Sequence, residues 1–544
     1  MGLSLVLGPA HAGKVALLLE RYLEAHDRDP WLVVPNRADV DRVERDLLRR
    51  RPALLAGQIG TFDDLFADVA AAGEGPRHVA ADVERTLAAR RAIAGVRLDG
   101  LATSASSAGF AESLLGALGE IESALVDPDR LEGDLGILAR AYREELDRLG
   151  ICDRDGLRRA AVERLRGDLD AWGERPVFAY GFEDLTGAEW ALVEALAART
   201  DVVVSIPYEP GRAAFAALEG TVQDLAGLAA GDLLELPPGV RDVSPALAHV
   251  ERDLFTDAPS APVPLDGSLQ FLEGAGARGT VELLGSELLS LLGSGTEPER
   301  IGVVCESPDR WRAALDAVLG PLGIPYAMEH GPRLGETPLG RALLSLLRFG
   351  LLGGSRGDLF AFLRSPFSGL ERRSVDFVEG RLRGRAISDP ERVEQEAERL
   401  RGAPVPALVE LRAGEDPVTA ARVLLQTMVR NAWGLDAPPT TDDALEDAQA
   451  YRAALRVLEE LEGFAGLAGE PLSSEDVVAS LERSRTRAAG AGERGRVAVL
   501  DYARARTRQF DAVFLLGLEE GSLPRRDRPS PLLDDELRRV LGGR

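Results

Sequence analysis

The sequence predicts an α/β fold with two β-sheets, each interrupted by a mainly helical insertion. Apolar runs of strand length alternate with amphipathic segments of helix length near the start, middle and end of the chain. Between these regions, in residues 76–172 and 341–487, strand-like runs are missing and apolar residues recur at helical spacing. A chain of 544 residues also exceeds the size of one hydrophobic core, so we expect about three or four domains.

The first sheet is predicted within residues 1–75 and 173–255, on either side of the helical insertion 76–172. Its strands are expected at 3–7, 31–35, 177–182 and 201–207, and a helix is expected at 15–26. Near the start, the order is strand, glycine-rich loop, helix and strand. This order is typical of a nucleotide-binding sheet.

The second sheet is predicted within residues 268–340 and 488–544, after a proline-rich linker at 256–267. Its strands are expected at 269–272, 300–305, 497–500 and 512–516, with a helix at 280–292. Residues 341–487 form the second helical insertion.

Composition limits the classes of function. The formal net charge of −25 argues against a protein that coats nucleic acid indiscriminately, although it leaves room for a basic channel. Arginines cluster at 42–51 and 483–508, and such runs are most often solvated faces. No apolar stretch reaches membrane-span length and no signal-peptide pattern opens the chain. Because Cys152 and Cys305 lack metal-ligand spacing, we expect a cytoplasmic protein with no cysteine-based zinc or iron–sulfur site.

A phosphate-binding loop pattern, G-x-x-x-x-G-K, begins at Gly8 and ends at Lys14. Backbone N–H groups of such a loop wrap phosphate oxygens, and the lysine ammonium reaches the β and γ phosphates. Lys14 is the only lysine among 64 lysine and arginine residues, and arginine substitutes poorly in this position. An ordinary glycine-rich turn is the alternative. The predicted nucleotide-binding residues are Gly8, Pro9, Ala10, His11, Ala12, Gly13, Lys14 and Val15.

The loop departs from a working pattern at Val15. A serine or threonine normally follows the lysine and supplies a hydroxyl ligand for Mg²⁺. Valine offers no oxygen to a hard cation. We therefore expect a loop that holds phosphates but positions a metal ion badly.

Landmarks along nearly the whole chain carry a family resemblance. They are the opening loop and the segments 60–65, 180–186, 323–326, 337–340, 363–367 and 505–524. In this order they resemble the B subunits of AddAB-type helicase–nucleases (AddB, RexB), whose body is a degenerate copy of a UvrD-like superfamily 1 motor. The resemblance implies two P-loop NTPase (RecA-like) domains. It also implies an AddA-like helicase–nuclease partner in a heterodimer that processes double-strand DNA ends for recombinational repair.

The family also carries a C-terminal PD-(D/E)XK nuclease domain, with an iron–sulfur cluster in many members. Neither nuclease carboxylates nor a four-cysteine set can be assigned within these 544 residues. Nuclease activity is therefore expected of the family and not of these residues.

The resemblance also assigns candidate site residues. Motors of this class hold Mg²⁺ with a carboxylate at the position of Gly181. Glu183 and Asp184 follow it and are the catalytic candidates, with ordinary helix N-terminal acids as the alternative. Arg506 and Arg508 are the nearest candidates for an arginine finger or for contacts to DNA phosphates, and a solvated basic turn is the alternative.

Four further residues are assigned to DNA binding by the same resemblance. Thr61 offers a hydroxyl for phosphate and Phe62 an aromatic face for base stacking, although an aromatic after a strand is more often part of the core. Arg364 and Ser365 are expected to contact the DNA backbone, and helix capping explains Ser365 equally well.

The function expected from these observations is a motor-shaped DNA-binding subunit. It binds ATP, with or without Mg²⁺, through Lys14, turns it over weakly or not at all, and contacts single-stranded DNA and duplex ends. The alternatives are an active ATP-dependent helicase and a structural scaffold that binds neither nucleotide nor DNA.

Overall fold

The computed structural model describes residues 2–71, 78–107, 109–126, 130–168, 170, 172–239, 243–328, 330–384, 387–487, 494–523, 530 and 532–541. The strands are β1 (Gly2–Gly8), β2 (Trp31–Val33), β3 (Gln58–Gly60), β4 (Val177–Ala179), β5 (Asp201–Pro207), β6 (Leu233–Glu235), β7 (Ile301–Cys305), β8 (Tyr326–Met328), β9 (His330–Arg333), β10 (Arg485–Arg487), β11 (Val497–Leu500) and β12 (Ala512–Leu516).

The helices are more numerous and fall in two long stretches. They are α1 (Lys14–Glu24), α2 (Arg37–Arg50), α3 (Phe62–Ala71), α4 (Asp82–Gly95), α5 (Ala102–Ala105), α6 (Phe110–Ser123), α7 (Gly133–Leu149), α8 (Arg154–Gly167), α9 (Gly187–Ala197), α10 (Glu219–Leu228), α11 (Pro245–Asp253), α12 (Gly276–Gly293), α13 (Pro308–Leu319), α14 (Pro338–Leu352), α15 (Arg356–Leu363), α16 (Arg372–Gly384), α17 (Pro390–Arg401), α18 (Pro406–Ala413), α19 (Pro417–Trp433), α20 (Leu445–Ala468), α21 (Ser474–Arg483), α22 (Tyr502–Ala505) and α23 (Asp535–Leu541).

The first sheet has six strands in the order β3-β2-β4-β5-β1-β6. Every neighbouring pair is parallel. Parallel sheets are covered on both faces, and β1 is accordingly apolar on both: Leu5 packs into a core with α3, α8 and α9, while Val6 packs against α1 and α2. The carboxyl ends of β1, β4, β5 and β6 lie at one edge, where open α/β sheets bind ligands.

The strands predicted for this sheet are confirmed. The prediction at 201–207 matches β5, and those at 31–35 and 177–182 correspond to β2 and β4, which end earlier. Between β3 and β4 the described residues form helices α3 to α8, with one isolated bridge between Val79 and Cys152. The predicted boundary at residue 76 and the last landmark residue, Pro524, lie outside the described residues.

The second sheet has four strands in the order β12-β7-β11-β8, with β7 parallel to both β11 and β12. Predictions at 300–305, 497–500 and 512–516 are confirmed. The strand predicted at 269–272 is wrong, because these residues form no regular structure and the Phe271 side chain is 80% exposed. Their alternating pattern resembles a strand, but among the described residues no neighbouring strand pairs with them.

Contacts divide the chain into two units. The first contains residues 1–79, 91–326 and 494–544, and it includes the first sheet and strands β7, β11 and β12 of the second sheet. The second contains residues 80–90 and 327–493; it comprises α14 to α21 and a two-stranded antiparallel ribbon of β9 and β10. Across the described residues, no helix combines the length and the apolar character needed to cross a membrane.

Candidate functional site

The predicted phosphate loop connects β1 to α1. Gly8 and Gly13 both have positive φ, 153° and 88°, and His11 adopts the left-handed conformation with φ of 63°. The Lys14 ammonium donates hydrogen bonds to Gly8 O at 2.7 Å and to Pro9 O at 2.5 Å. The lysine therefore ties the end of the loop to its beginning.

The N-terminus of α1 faces this loop. Among the described residues, no side chain caps the helix, so its first N–H groups point out of the helix end. Such a terminus carries a partial positive charge and binds anions. Together with the ammonium of Lys14, this arrangement suits the phosphates of a nucleotide.

Burial lowers the pKa of Lys14 from 10.5 to about 8, and the nearby carboxylate of Glu209 partly opposes this shift. Glu209 follows β5, the strand that pairs directly with β1. Sequence reasoning missed it, because only the strand order brings the end of β5 beside the loop.

The two positions expected to hold Mg²⁺ do not fit the ion. The Val15 side chain is 42% exposed and offers no oxygen. Gly181 has φ of 86°, and a Cβ atom placed on it lies 2.7 Å from Pro35 Cγ and 3.2 Å from Thr507 Cγ2. Neighbouring side chains thus occupy the space that an aspartate needs at this position.

Glu183 and Asp184, the catalytic candidates, are engaged with other groups. The Glu183 carboxylate forms an ion pair with Arg506 at 2.5 Å. Asp184 accepts hydrogen bonds from the Leu185 N–H and from the Thr221 hydroxyl, at 2.8 and 2.7 Å. Throughout the described ranges, no group of three or more His, Cys, Asp or Glu side chains is arranged to hold a metal ion.

The loop 506–509 of the second sheet contacts the carboxyl edge of the first sheet. The Thr507 hydroxyl donates to Asp39 Oδ1 at 2.9 Å, and the Arg42 guanidinium donates to Thr507 O. Gln509 Nε2 lies 3.4 Å from His11 Nδ1 in the phosphate loop. Arg506 was predicted to contact DNA or nucleotide, but it is paired here with Glu183, while Arg508 lies in the same loop, where its N–H donates to Ala505 O.

Asp39 is the buried acceptor at this contact. Its side chain is only 1% exposed and also accepts a hydrogen bond from Asn36 Nδ2 at 2.8 Å. We expect Asp39→Ala to destabilise the first unit by about 3 kcal/mol, because buried donors lose their charged acceptor. Thr507→Val removes one donor and is expected to cost about 1 kcal/mol. Denaturant unfolding measures both changes.

Asp46→Ala is the matched control, because Asp46 lies on the same helix in an exposed ion pair with Arg49. Its expected effect is below about 1 kcal/mol. Equal losses for the Asp39 and Asp46 variants would show that the buried network does not stabilise the sheet contact.

Most of the predicted DNA-contacting residues have structural partners. The Thr61 hydroxyl donates to Asp64 at 3.0 Å at the start of α3. Phe62 is 5% exposed and its ring centroid lies 4.8 Å from that of Phe182, so the aromatic face belongs to the core.

Arg364 and Ser365, in the second unit, are likewise engaged. The Arg364 guanidinium is paired with Glu379, a buried carboxylate. The Ser365 hydroxyl donates to Phe362 O at 2.6 Å, next to the short helical turn at 366–368. The Ser365 side chain makes no capping hydrogen bond to the described residues of that turn, so its structural role is the bond to Phe362 O and not the capping that the sequence left open.

The second unit carries a basic ribbon, which consists of β9 and β10 with Arg333, Arg485 and Arg487. Arg485 lies directly opposite Arg333 in the antiparallel register. Thr486 is buried between the other two residues of β10, so Arg485 and Arg487 project away from it. Like charges opposite one another repel. Within the described residues Arg333 and Arg487 form no ion pair, and the ribbon is a positive surface on a chain of net charge −25.

Comparison with protein-family models gave no match. Two curated proteins are similar to the chain, and each is named as the B subunit of an ATP-dependent helicase/deoxyribonuclease. The protein from Desulforudis audaxviator is 25% identical over 635 aligned residues, which cover 99% of this chain and 54% of that protein. The protein from Acetivibrio thermocellus is 21% identical over 345 residues, which cover 55% of this chain and 29% of that protein.

The chain spans about half the length, or less, of these relatives. The similarity to the first relative extends over nearly all of the chain, as the order of the sequence landmarks predicted. By sequence, the chain is similar to the B subunits (AddB type) of ATP-dependent helicase/deoxyribonucleases.

Proposed function

We propose that this chain is the helicase-like, DNA-binding subunit of an ATP-dependent helicase–nuclease that processes double-strand DNA ends for recombinational repair. In this proposal the two sheets belong to RecA-like domains, and an AddA-like subunit supplies the active motor. The chain itself binds ATP at Gly8–Val15 and hydrolyses it weakly or not at all. The names of both relatives support the assignment to such a complex.

One observation carries the nucleotide part of the proposal. The chain's only lysine closes the phosphate loop, whereas both positions that hold Mg²⁺ in a working motor lack an oxygen. A structural scaffold would have no need of the lysine in the loop. An active helicase would need oxygen ligands at the two Mg²⁺ positions. Titration of a fluorescent ATP analogue into the chain tests this part, and failure to bind would favour the scaffold.

The basic ribbon supports the DNA part of the proposal. Arginine side chains on a strand pair suit contacts to phosphate oxygens, which supply most sequence-independent affinity. A hydrogen bond from the Thr486 hydroxyl to Pro332 O, 3.3 Å long, joins its strands. A Cβ atom on Gly331 would overlap Thr486 O, so the two strands lie too close for a larger residue there.

We expect the double substitution Arg333→Ala and Arg487→Ala to weaken binding of single-stranded DNA and to reduce its salt dependence. Loss of two phosphate contacts lowers the slope of log affinity against log salt by about 1.5. Fluorescence anisotropy at several salt concentrations measures that slope.

Arg399→Ala is the control, because Arg399 belongs to the same unit but is paired with Glu396 at 2.7 Å. Its slope is expected to match the wild type. An unchanged slope in the double variant would remove the ribbon from the DNA-binding surface.

A further inference from the structure

A cavity of about 440 Å³ lies beside the start of the phosphate loop. It is formed at the carboxyl ends of β1, β5 and β6, three neighbouring strands of the first sheet. Its walls include Gly8 and Pro9 of the loop, Tyr208 and Glu209 after β5, and Leu236 and Pro237 after β6. The volume is within the usual range for a small-molecule site.

The walls of the cavity are fixed to β1. The Tyr208 N–H donates to Gly8 O at 3.1 Å, and the Leu236 N–H donates to Leu7 O at 2.9 Å. A Cβ atom on Gly8 lies 2.8 Å from Leu236 O, so this glycine permits close approach of the segment after β6. The cavity is therefore a built feature of the strand ends.

The described lining of the cavity suits the uncharged part of a ligand better than its phosphates. Glu209 and Glu235 contribute carboxylates, and none of the described residues that line the cavity is a lysine or an arginine. Arg212 pairs with the Glu209 carboxylate at 2.6 Å and also donates to Glu251 O. This pair holds Glu209 in place as an acceptor of hydrogen bonds.

The remaining walls suit an aromatic ring and a sugar. Tyr208 and Pro237 offer flat apolar surfaces, and stacking on an aromatic side chain binds any base through its π-face. Carboxylates accept hydrogen bonds from ribose hydroxyls. The N-terminus of α1 lies at the other end of the same loop, and the Lys14 ammonium reaches back to Gly8 O and Pro9 O at the edge of the cavity.

We infer that this cavity is the nucleoside subsite: it holds the base against Tyr208 and the ribose near Glu209 and Glu235, while the loop holds the phosphates. The inference rests on the nucleotide binding proposed above and assigns the uncharged part of the ligand to residues that the sequence did not single out.

Binding of ATP compared with inorganic tripolyphosphate tests it by isothermal titration calorimetry. In the wild-type chain ATP is expected to bind more tightly than tripolyphosphate. Tyr208→Ala is expected to lower ATP affinity by about 5- to 100-fold and to leave tripolyphosphate affinity unchanged. Tyr208→Phe keeps the ring and is expected to bind ATP like the wild type, which separates loss of stacking from loss of fold.

Lys14→Ala is expected to weaken both ligands, because it acts on the phosphates. If Lys14 matters but Tyr208→Ala leaves ATP affinity unchanged, the subsite is wrong while the proposed function stands. If the wild-type chain binds neither ATP nor tripolyphosphate, the proposed function fails, and the subsite fails with it.

Discussion

Lys14→Ala is expected to lower the affinity of the chain for ATP by about 10- to 150-fold, since a hydrogen bond to a charged group contributes about 1.5–3 kcal/mol. Lys14 also joins the two ends of the loop through Gly8 O and Pro9 O, so its loss loosens the loop as well. Lys14→Arg is expected to restore little, because a planar guanidinium cannot occupy the same position. Equilibrium titration with ATP measures these differences.

The pH dependence of ATP binding separates the contribution of the Lys14 charge from that of the hydrogen bonds by which Lys14 holds the loop. Because the pKa of Lys14 is lowered to about 8, the ammonium loses its proton as the pH rises through that value. ATP affinity of the wild type is therefore expected to fall above pH 8, whereas the Lys14→Ala variant shows no such step. The free energy of unfolding changes in the opposite direction. Between about pH 8 and 10.5 the unfolded chain holds a proton on Lys14 that the folded chain has lost, so the folded state becomes more stable as the pH rises through this range.

Arg21→Ala, in the last turn of α1, is the control for substitution on this helix, and it is expected to bind ATP like the wild type. Equal ATP affinity in the Lys14→Ala variant and the wild type would contradict the assignment of the loop.

Gly181→Asp is expected to destabilise the first unit by about 3 kcal/mol and not to restore ATP turnover. A non-glycine residue at positive φ costs about 1–2 kcal/mol, and overpacking adds about 1–3 kcal/mol. Here φ is 86° and the added Cβ atom lies 2.7 Å from Pro35 Cγ. The carboxylate of a working motor is thus excluded by packing as well as by sequence.

A comparison of two glycines isolates the packing contribution. Gly173 has φ of 74°, and a Cβ atom on it meets no atom within 4 Å. Gly181→Ala and Gly173→Ala therefore share the backbone strain but differ in steric overlap. In thermal unfolding, Gly181→Ala is expected to be the less stable of the two variants. Equal stability would show that the side chains of Pro35 and Thr507 move aside at little energetic cost.

Much of the fold could be predicted from local patterns. Buried parallel strands such as β5 and β7 are short apolar runs bounded by turn residues, and they were located correctly. Residues 269–272 have a similar pattern without a strand, because pairing depends on whether a neighbouring strand is present. The periodicity of a segment shows which of its residues are apolar, but it does not show whether another strand is available to pair with that segment.

The candidate site also contains some residues that local sequence predicts and others that only the tertiary fold brings together. Gly8, Gly13 and Lys14 are close in sequence, so their spacing alone predicts a loop. Glu209 and Thr507 reach the site only through strand order and through the contact between the two sheets, which no local pattern encodes. Phe62 was assigned to DNA by resemblance, whereas its burial against Phe182 depends on tertiary packing.

The chemical identity of nucleotide recovered from the chain tests the central claim most directly. The wild-type chain is incubated with radiolabelled ATP and Mg²⁺, with and without single-stranded DNA, and the bound and free nucleotides are then separated and identified. We predict that ATP is recovered intact and bound, and that Lys14→Ala retains much less of it. Conversion of ATP to ADP that is stimulated by DNA and lost in Lys14→Ala would contradict the account, because it would make this chain a working motor.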